Sequence, residues 1–129
     1  MPRVLIVDDQ NGVRALLQLV FREEGYQVAL AVNGRDAIRQ VEHWRPDVVV
    51  MDVKMPVMGG LEALTRIKAI APGTAVIIMT AYVEEASLEE VWCLGADDFI
   101  YKPFDLEELK AKVRRVLPVE EPDCRKLAP

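Results

Sequence analysis

Three aspartates stand directly after apolar runs of the sequence. Asp8 and Asp9 follow residues 4–7, and Asp52 follows residues 48–51. If both runs are neighbouring strands of a parallel sheet, their ends meet at one edge and bring the three carboxylates together. Such a group of negative charges needs a cation or a proton to offset its repulsion. The spacing therefore predicts a divalent metal and a reaction that involves an anion.

A threonine and a lysine stand at the ends of two later apolar runs. Thr80 follows residues 75–79, and Lys102 follows residues 98–101. Ligands of an open parallel sheet bind outside the carboxyl ends of its strands, so these two side chains are expected at the same edge as the aspartates. Phosphoryl transfer requires positioning and charge neutralisation, which a carboxylate nucleophile, a metal, a lysine and a hydroxyl can supply. The residues together predict phosphoryl transfer at this edge.

The elements that position these residues alternate along the whole chain. Apolar runs alternate with segments of helical periodicity, which is typical of βαβ units around a parallel sheet. The runs are continuously apolar, which indicates helices on both faces of the sheet. The sequence predicts an α/β fold of the (βα)5 type, doubly wound, with five parallel strands and five helices. The fourth helix is predicted from about residue 84 to residue 94.

Length, charge and hydropathy exclude several classes of protein. A chain of 129 residues fits one domain, predicted over residues 1–117, with a short tail over residues 118–129 and no output domain. The net charge of −5 argues against nucleic-acid binding, which draws on clustered Lys and Arg. No apolar run approaches the roughly 18–20 residues of a membrane span, and no signal peptide is recognisable. The expected location is the cytoplasm, without membrane binding.

Several residues with distinctive side chains are predicted to have no chemical role. Cys93 and Cys124 lack CxxC spacing and neighbouring histidines, so Cys93 is interpreted as packing and Cys124 as an exposed thiol. His43 is expected as a charge near the end of the second helix rather than as a phosphohistidine. Trp44 and Trp92 are expected to pack, and the glutamates of the fourth helix are expected to face solvent.

Short motifs along the chain resemble the receiver domain of two-component response regulators. They are Val7-Asp8-Asp9, Met51-Asp52, Met55-Pro56 with Gly60, Met79-Thr80-Ala81, Gly95-Ala96-Asp97 and Lys102-Pro103-Phe104. The resemblance extends over nearly the whole chain and implies a flavodoxin-like arrangement of the doubly wound sheet. It also implies Mg²⁺ as the cofactor, with Mn²⁺ as a substitute.

The resemblance implies a metal site around a phosphoacceptor. Asp52 would accept the phosphoryl group. Asp8, Asp9 and Asp52 would bind the metal together with the backbone carbonyl of Lys54. Gly59 departs from the family pattern, because many receivers carry Asp there. This departure is expected to loosen the loop beside Asp52 without removing a proposed ligand.

The resemblance also implies a device that senses the phosphoryl group. Thr80 and Lys102 would contact the phosphoryl oxygens, and Phe99 occupies the family's switch position. If Thr80 moves inward, Phe99 gains space, and because Phe99 has no hydroxyl its response would be purely steric. A cis peptide bond between Lys102 and Pro103 is implied as well.

A narrower resemblance is to the single-domain receiver of the sporulation phosphorelay in spore-forming bacteria. It depends on residues 8–10, 24–27, 45–47, 52–54 and 76–82. It implies that the protein takes a phosphoryl group from a sensor histidine kinase and passes it to a histidine phosphotransferase, with a phosphatase as a further partner. Such a protein mediates its own phosphotransfer and is not a conventional turnover enzyme.

The first helix could offer a docking surface for such a partner. The residues assigned to this surface are Gln10, Gly12, Val13, Leu16, Pro103 and Phe104. The apolar stripe of the helix is wide enough to leave an edge uncovered, and an exposed apolar edge suits a helical partner. The alternative, that all of these apolar groups are buried, is equally open from the sequence.

Three other functions remain as alternatives. One is a stand-alone terminal receiver that acts through phosphorylation-dependent protein binding. Another is a Mg²⁺-dependent phosphatase of the haloacid dehalogenase type, but that family has a second acid two residues after the nucleophile, where this chain has Lys54. The third is a flavodoxin-like cofactor binder, although no Gly-rich or Ser/Thr-rich phosphate loop follows the first strand.

Overall fold

The computed structural model describes residues 1–81 and 88–117, in which helices flank one parallel sheet. The elements are β1 (Arg3–Val7), α1 (Asn11–Glu23), β2 (Gln27–Ala31), α2 (Gly34–Trp44), β3 (Val48–Asp52), α3 (Gly60–Ile70), β4 (Ala75–Thr80), α4 (Leu88–Cys93), β5 (Asp98–Tyr101) and α5 (Leu106–Val116). The predicted α/β alternation of five parallel strands and five helices is confirmed over this part of the chain. The predicted start of α4, the tail and Cys124 lie outside the described residues.

The order of the strands creates a crevice at one edge of the sheet. The strands are hydrogen-bonded in the order β2-β1-β3-β4-β5, and every neighbouring pair is parallel. After β2 the chain crosses back past β1 to form β3, so the winding reverses between β1 and β3. Such a reversal opens a ligand-binding crevice at the carboxyl ends of the strands. Val7 lies beside Met51 in the register, so the residues that follow β1 and β3 meet there.

Two apolar layers cover the two faces of the sheet, as the continuous apolar strands predict. Leu5 and Val7 pack in the layer that contains residues of α2 and α3, whereas Val4 and Ile6 pack in the layer that contains residues of α1 and α5. All residues of β3 and β4 are buried. Burial of apolar surface, at about 25 cal/mol per Å², is the main force that holds the strand ends in a fixed arrangement.

Local signals in the sequence set the ends of several helices. Asn33 caps α2 by accepting a hydrogen bond from the Asp36 amide at 2.8 Å. The chain turns at Gly25 after α1 and at Gly95 after α4, with φ of 92° and 104°, which glycine adopts without a steric penalty. No helix in the described ranges is both long enough and apolar enough to cross a membrane.

Two side chains that were predicted to pack are exposed. Cys93 lies on the surface of α4, and Trp92 is 46% exposed. Val91 takes the position of α4 that faces the core. Each residue of an α-helix is rotated by about 100° from the one before it, so Trp92 and Cys93 point away from the direction of Val91. The packing interpretation is therefore wrong for Cys93, whereas the Trp92 ring contacts Phe99 and is half-exposed. His43 is exposed in the last turn of α2, as predicted.

Candidate functional site

Three carboxylates meet at the carboxyl edge of the sheet, beside the crevice between β1 and β3. One oxygen from each of Asp8, Asp9 and Asp52 lies within 4.8 Å of the others. Asp8 is 0% exposed and Asp52 is 8% exposed, whereas Asp9 is exposed to solvent. The structure thus brings together the three aspartates that the sequence singled out, and it buries two of them.

The side chain of Lys102 contacts this cluster. Its Nζ lies 3.0 Å from Asp8 Oδ2 and 3.3 Å from Asp52 Oδ2. The backbone amide of Lys102 donates to the Thr80 carbonyl at 2.8 Å, which extends the pairing of β4 and β5 to the edge of the sheet. The Lys102–Pro103 peptide bond is cis, as predicted. Lys102 thus offsets part of the negative charge of two of the three carboxylates.

Burial and neighbouring charges shift the pKa values of Asp52 and Lys102, whose side chains are in contact. Burial raises the pKa of the Asp52 carboxyl, the Lys102 ammonium opposes this rise, and the Asp8 charge adds to it. Burial alone would lower the pKa of Lys102, but the hydrogen bond to Asp8 and the charges of Asp52 and Asp8 outweigh it, so the pKa of Lys102 is raised. Lys102 therefore stays an ammonium, and Asp52 holds a proton more readily than an ordinary aspartate.

The turn between β1 and α1 fixes Asp8 through its own backbone and side chain. Asp8 Oδ1 accepts a hydrogen bond from the Gln10 amide at 2.9 Å, and Arg14 Nη1 donates to the Asp8 carbonyl at 2.6 Å. The Arg14 amide in turn donates to the Gln10 carbonyl. Sequence reasoning missed Arg14. Its position one helical turn after Gln10 was the available signal.

The loop between β3 and α3 begins at Asp52 and packs closely against it. Asp52 Oδ1 accepts from the Val53 amide at 2.9 Å, and the Gly60 amide donates to the Val53 carbonyl at 2.8 Å. A Cβ atom on Gly60 would lie 2.1 Å from the Asp52 carbonyl oxygen, so only glycine permits this approach. Lys54 is exposed and, with Asp52, lines a cavity of about 320 Å³ over the cluster.

The donor set at this edge fits a divalent cation. Oxygen atoms of three carboxylates lie within reach of one ion, and two of these groups are buried with Lys102 as a shared partner. A hard cation such as Mg²⁺ prefers oxygen ligands and commonly binds through one or two carboxylates with water and phosphate oxygens. A charge of +2 would also reduce the repulsion among the three carboxylates.

Thr80 and Phe99 lie on the neighbouring strands β4 and β5. Thr80 ends β4 and is 2% exposed, and Phe99 lies on β5 opposite Ile78. The Phe99 ring makes edge contacts with Trp92 and Tyr101, at centroid distances of 5.8 and 5.2 Å. Phe99, which the resemblance implies as the switch residue, is therefore in contact with an exposed tryptophan of α4.

An apolar surface lies next to the carboxylates. A cavity of about 520 Å³ is lined by Gln10, Val13, Leu16, Ala81, Lys102, Pro103 and Phe104. Leu16 is 46% exposed, so the alternative that all apolar groups of this region are buried is wrong for Leu16. Gly12 is exposed in the first turn of the same helix. Ala81 was not assigned to this surface from the sequence, although it directly follows Thr80.

Comparisons with known proteins agree with this geometry. The chain is 47% identical to sporulation initiation phosphotransferase F of Bacillus subtilis, over 92% of this chain and 95% of that protein. It is 44% identical to the regulatory protein AtoC of Escherichia coli, over 92% of this chain but only 26% of that longer protein. The solved structure of the response regulator TrrA from Thermotoga maritima, in complex with Mg²⁺ and BeF, superposes with a TM-score of 0.83 at 36% identity and covers 91% of this chain and all of that one.

The family description "Response regulator receiver domain" matches residues 4–114. The match includes the three clustered aspartates and all residues of the five strands except Arg3 at the start of β1. The chain therefore belongs to the response regulator receiver domain family.

Proposed function

We propose that the protein accepts a phosphoryl group on Asp52 from a phosphohistidine of a sensor histidine kinase, with Mg²⁺ bound, and passes it to a histidine phosphotransferase. The observation that carries this proposal is the position of the Asp52 carboxylate. It lies 3.3 Å from the Lys102 ammonium, shares one small space with Asp8 and Asp9, and opens to the cavity beside Lys54. A nucleophile, a cationic contact and metal ligands are thus held together by separate strands.

The residues present suit each requirement of the reaction. An Asp52 oxygen forms the new bond to phosphorus, and the bond from phosphorus to the imidazole nitrogen breaks, with its electron pair returning to the ring. Asp8, Asp9 and Asp52, with the Lys54 carbonyl, would hold Mg²⁺, which supplies charge neutralisation for the phosphoryl oxygens. Lys102 and the Thr80 hydroxyl would contact the remaining phosphoryl oxygens. The protein would thus mediate its own phosphorylation without acting as a turnover enzyme.

The apolar surface beside the carboxylates supports binding of both the protein that donates the phosphoryl group and the protein that accepts it. It shares Gln10 and Lys102 with the cavity over the carboxylates, so a partner bound there can bring a histidine to Asp52. Val13, Leu16, Pro103 and Phe104 provide its apolar contacts. The relative in Bacillus subtilis carries the name phosphotransferase and covers almost the same length, which favours a relay intermediate.

A direct test is phosphorylation by acetyl phosphate, followed by intact mass. With Mg²⁺, wild type is expected to gain one phosphoryl group, and Asp52→Asn to gain none. Asp36→Asn is the matched control, because Asp36 belongs to the first turn of α2 and accepts only a local hydrogen bond from the Val32 amide. Labelling of Asp52→Asn to the wild-type extent would rule out Asp52 as the acceptor.

The relay step needs a second measurement. Phosphorylated protein is mixed with a purified histidine phosphotransferase, and the phosphoryl group is followed on both proteins. Transfer to the histidine supports the relay. Retention of the group on Asp52 with every phosphotransferase of the source organism supports a terminal receiver instead.

The terminal receiver is the second candidate function. The chain matches receiver-length segments of longer regulators, including 26% of AtoC and 50% of the transcriptional regulatory protein PrrA of Mycobacterium tuberculosis. In that case the phosphorylated protein would act by binding a partner. Phosphorylation-dependent pull-down of a partner that leaves Asp52 phosphorylated is the result that distinguishes this function from the relay.

A further inference from the structure

The Asp9 carboxylate is the least restrained of the three clustered carboxylates. Hydrogen bonds from backbone amides and ion pairs with Lys102 hold the carboxylates of Asp8 and Asp52. Asp9 is exposed, and in the part of the chain that the structure describes no hydrogen bond or ion pair holds its carboxylate. The position of the Asp9 carboxylate therefore depends on the backbone from which its side chain projects.

The backbone that leads into Asp9 is held on both sides of Asp8. The Asp8 amide donates to the Ala31 carbonyl of β2 at 3.2 Å, and the Asp8 carbonyl accepts from Arg14 Nη1 at 2.6 Å. This carbonyl belongs to the planar peptide unit that ends at the Asp9 Cα atom. A contact that fixes the Asp8 carbonyl therefore also fixes the point from which the Asp9 side chain starts.

The guanidinium of Arg14 is itself held in place. Arg14 is half-buried, and its Nη2 donates to Asn11 Oδ1 in the same helix. The Arg14 amide donates to the Gln10 carbonyl at 3.1 Å, which begins the first turn of α1. A guanidinium presents its donors in a rigid planar fork, and a charged donor makes a stronger hydrogen bond than a neutral one. One side chain of α1 thus joins the end of β1 to the first turn of the helix.

We propose that Arg14 is a positioning residue for metal binding, which acts through the Asp8 carbonyl to direct the Asp9 carboxylate toward those of Asp8 and Asp52. This inference rests on the proposed function, since it concerns the Mg²⁺ site of that function. Arg14 acts on the orientation of a ligand and contacts neither the metal nor the phosphoryl group. Loss of such an outer contact commonly lowers metal affinity by roughly 10–100-fold.

The charge of Arg14 and its hydrogen bond to Asp8 have opposite effects on Mg²⁺ binding. A positive charge near the cluster repels the ion, so removal of the charge alone would strengthen binding. Removal of the hydrogen bond frees the peptide unit before Asp9 and weakens binding. Arg14→Met removes both the charge and the donors while it keeps an unbranched apolar stem. The direction of the change in this variant therefore distinguishes a positioning role from a purely electrostatic one.

The first readout is Mg²⁺ binding without a phosphodonor, followed through backbone amide signals in NMR spectra during titration with magnesium chloride. In Arg14→Met the dissociation constant of Mg²⁺ is expected to rise by roughly tenfold. Arg14→Lys should lie between wild type and Arg14→Met, because an ammonium keeps the charge but lacks the fork that reaches both Asp8 and Asn11. Arg22→Met is the matched control, since Arg22 is exposed in the last turn of α1, and it should bind Mg²⁺ like wild type. The same spectra show that each variant is folded.

The second readout is the rate of labelling by acetyl phosphate over a range of Mg²⁺ concentrations. Arg14→Met should require more Mg²⁺ for half of its maximal rate, by the same factor as its dissociation constant, and should reach the wild-type rate at saturation. An unchanged or lower dissociation constant in Arg14→Met would overturn the proposal, as would a rate that stays low at saturating Mg²⁺. A wild-type protein that binds Mg²⁺ but takes up no phosphoryl group would refute the proposed function, and the titration alone would then decide the role of Arg14. A wild-type protein that binds no Mg²⁺ would refute both.

Discussion

Lys102 and Asp8, 94 residues apart in the sequence, form an ion pair in which Nζ lies 3.0 Å from Oδ2. The Asp8 side chain is wholly buried, so Lys102 provides charge compensation that solvent cannot. The same ammonium lies 3.3 Å from Asp52. Lys102 therefore ties the ends of β1 and β3 to the segment after β5 and offsets part of the charge of the acidic cluster.

Removal of this ammonium should make stability depend on metal. In Lys102→Ala, two buried carboxylates lose their shared partner, and the variant is expected to lose about 2–4 kcal/mol of unfolding free energy in EDTA. Saturating Mg²⁺ should recover part of this loss, because the ion binds the folded state and neutralises the same carboxylates. Urea unfolding with and without Mg²⁺ measures both effects.

Lys112→Ala is the control for that experiment. Lys112 Nζ lies 3.2 Å from Asp98 Oδ1, in an ion pair between α5 and β5 that is also largely buried. Its loss should lower stability by the same amount in EDTA and in Mg²⁺. Equal recovery of both variants by Mg²⁺ would contradict the assignment of Lys102 to the metal-binding cluster.

The raised pKa of Asp52 predicts that the ionised Asp52 side chain lowers the stability of the folded protein. Burial raises the pKa of Asp52, so the folded state binds this proton more tightly than the unfolded chain does. The associated stability is present below the ordinary aspartate pKa and is lost as pH rises through the raised pKa. Asp52→Asn cannot ionise, and in EDTA at neutral pH it is expected to be more stable than wild type by about 1 kcal/mol.

The pH dependence of this difference is the measurement that checks it. Urea unfolding of wild type and Asp52→Asn is compared in EDTA from neutral pH down to about pH 4, the ordinary pKa of aspartate. The advantage of Asp52→Asn should shrink as Asp52 of the wild type becomes protonated. An advantage that grows on acidification would show that the sign of the pKa shift is wrong.

Much of this site could be located from the sequence, because of the geometry of parallel sheets. Asp8, Asp52, Thr80 and Lys102 each end or directly follow an apolar run, and parallel strands place such positions at one edge. The apolar runs also specify the strands, since a segment buried on both faces cannot carry the alternating pattern of a half-exposed strand.

The remaining features depend on orientations that residue types do not encode. Val91 and Trp92 are both apolar, so hydrophobicity alone does not predict that Val91 packs in the core and that Trp92 is half-exposed. The contact of Arg14 with the Asp8 carbonyl depends on the path of the β1–α1 turn. Val57 has a φ of 69°, and the sequence gives no signal for this conformation, because it has neither glycine nor asparagine at that position.

Gly60 should tolerate no side chain. The Cβ of alanine would lie 2.1 Å from the Asp52 carbonyl oxygen, so Gly60→Ala must displace the backbone of Asp52, the proposed phosphoacceptor. We expect a loss of at least about 2 kcal/mol of unfolding free energy and a strong loss of labelling by acetyl phosphate. Gly73→Ala is the control, because its Cβ would meet no atom within 4 Å. Wild-type stability of Gly60→Ala would contradict the close approach.

Trp92 should report on the switch position. Phe99 contacts the Trp92 ring edge-on at 5.8 Å, so a change in the Phe99 rotamer alters the surroundings of the indole. Addition of acetyl phosphate with Mg²⁺ is expected to change tryptophan emission in wild type. The change should disappear in Trp92→Phe, which retains Trp44 under the Arg3 guanidinium, and in Asp52→Asn. If the emission of Trp92→Phe changes as much as that of wild type, the signal comes from Trp44, and Trp92 does not report on Phe99.

Substitution of two adjacent leucines of α1 can distinguish an effect on partner docking from an effect on folding. Leu17 is 0% exposed and Leu16 is 46% exposed, although both are apolar and share one helix. Leu17→Ala removes buried methyl groups from the core and should cost about 2–4 kcal/mol of unfolding free energy. Leu16→Ala should change stability by less than about 1 kcal/mol, because its side chain already contacts solvent.

The same substitution tests the docking surface. If the surface lined by Leu16 and Phe104 binds a histidine phosphotransferase and Leu16 is one of its few dominant contacts, Leu16→Ala should slow transfer to that partner by roughly tenfold. Labelling by acetyl phosphate should stay at the wild-type rate, since a small donor does not use the surface. Equal slowing with acetyl phosphate would place the defect in the chemistry around Asp52, and unchanged transfer would remove Leu16 from the docking surface.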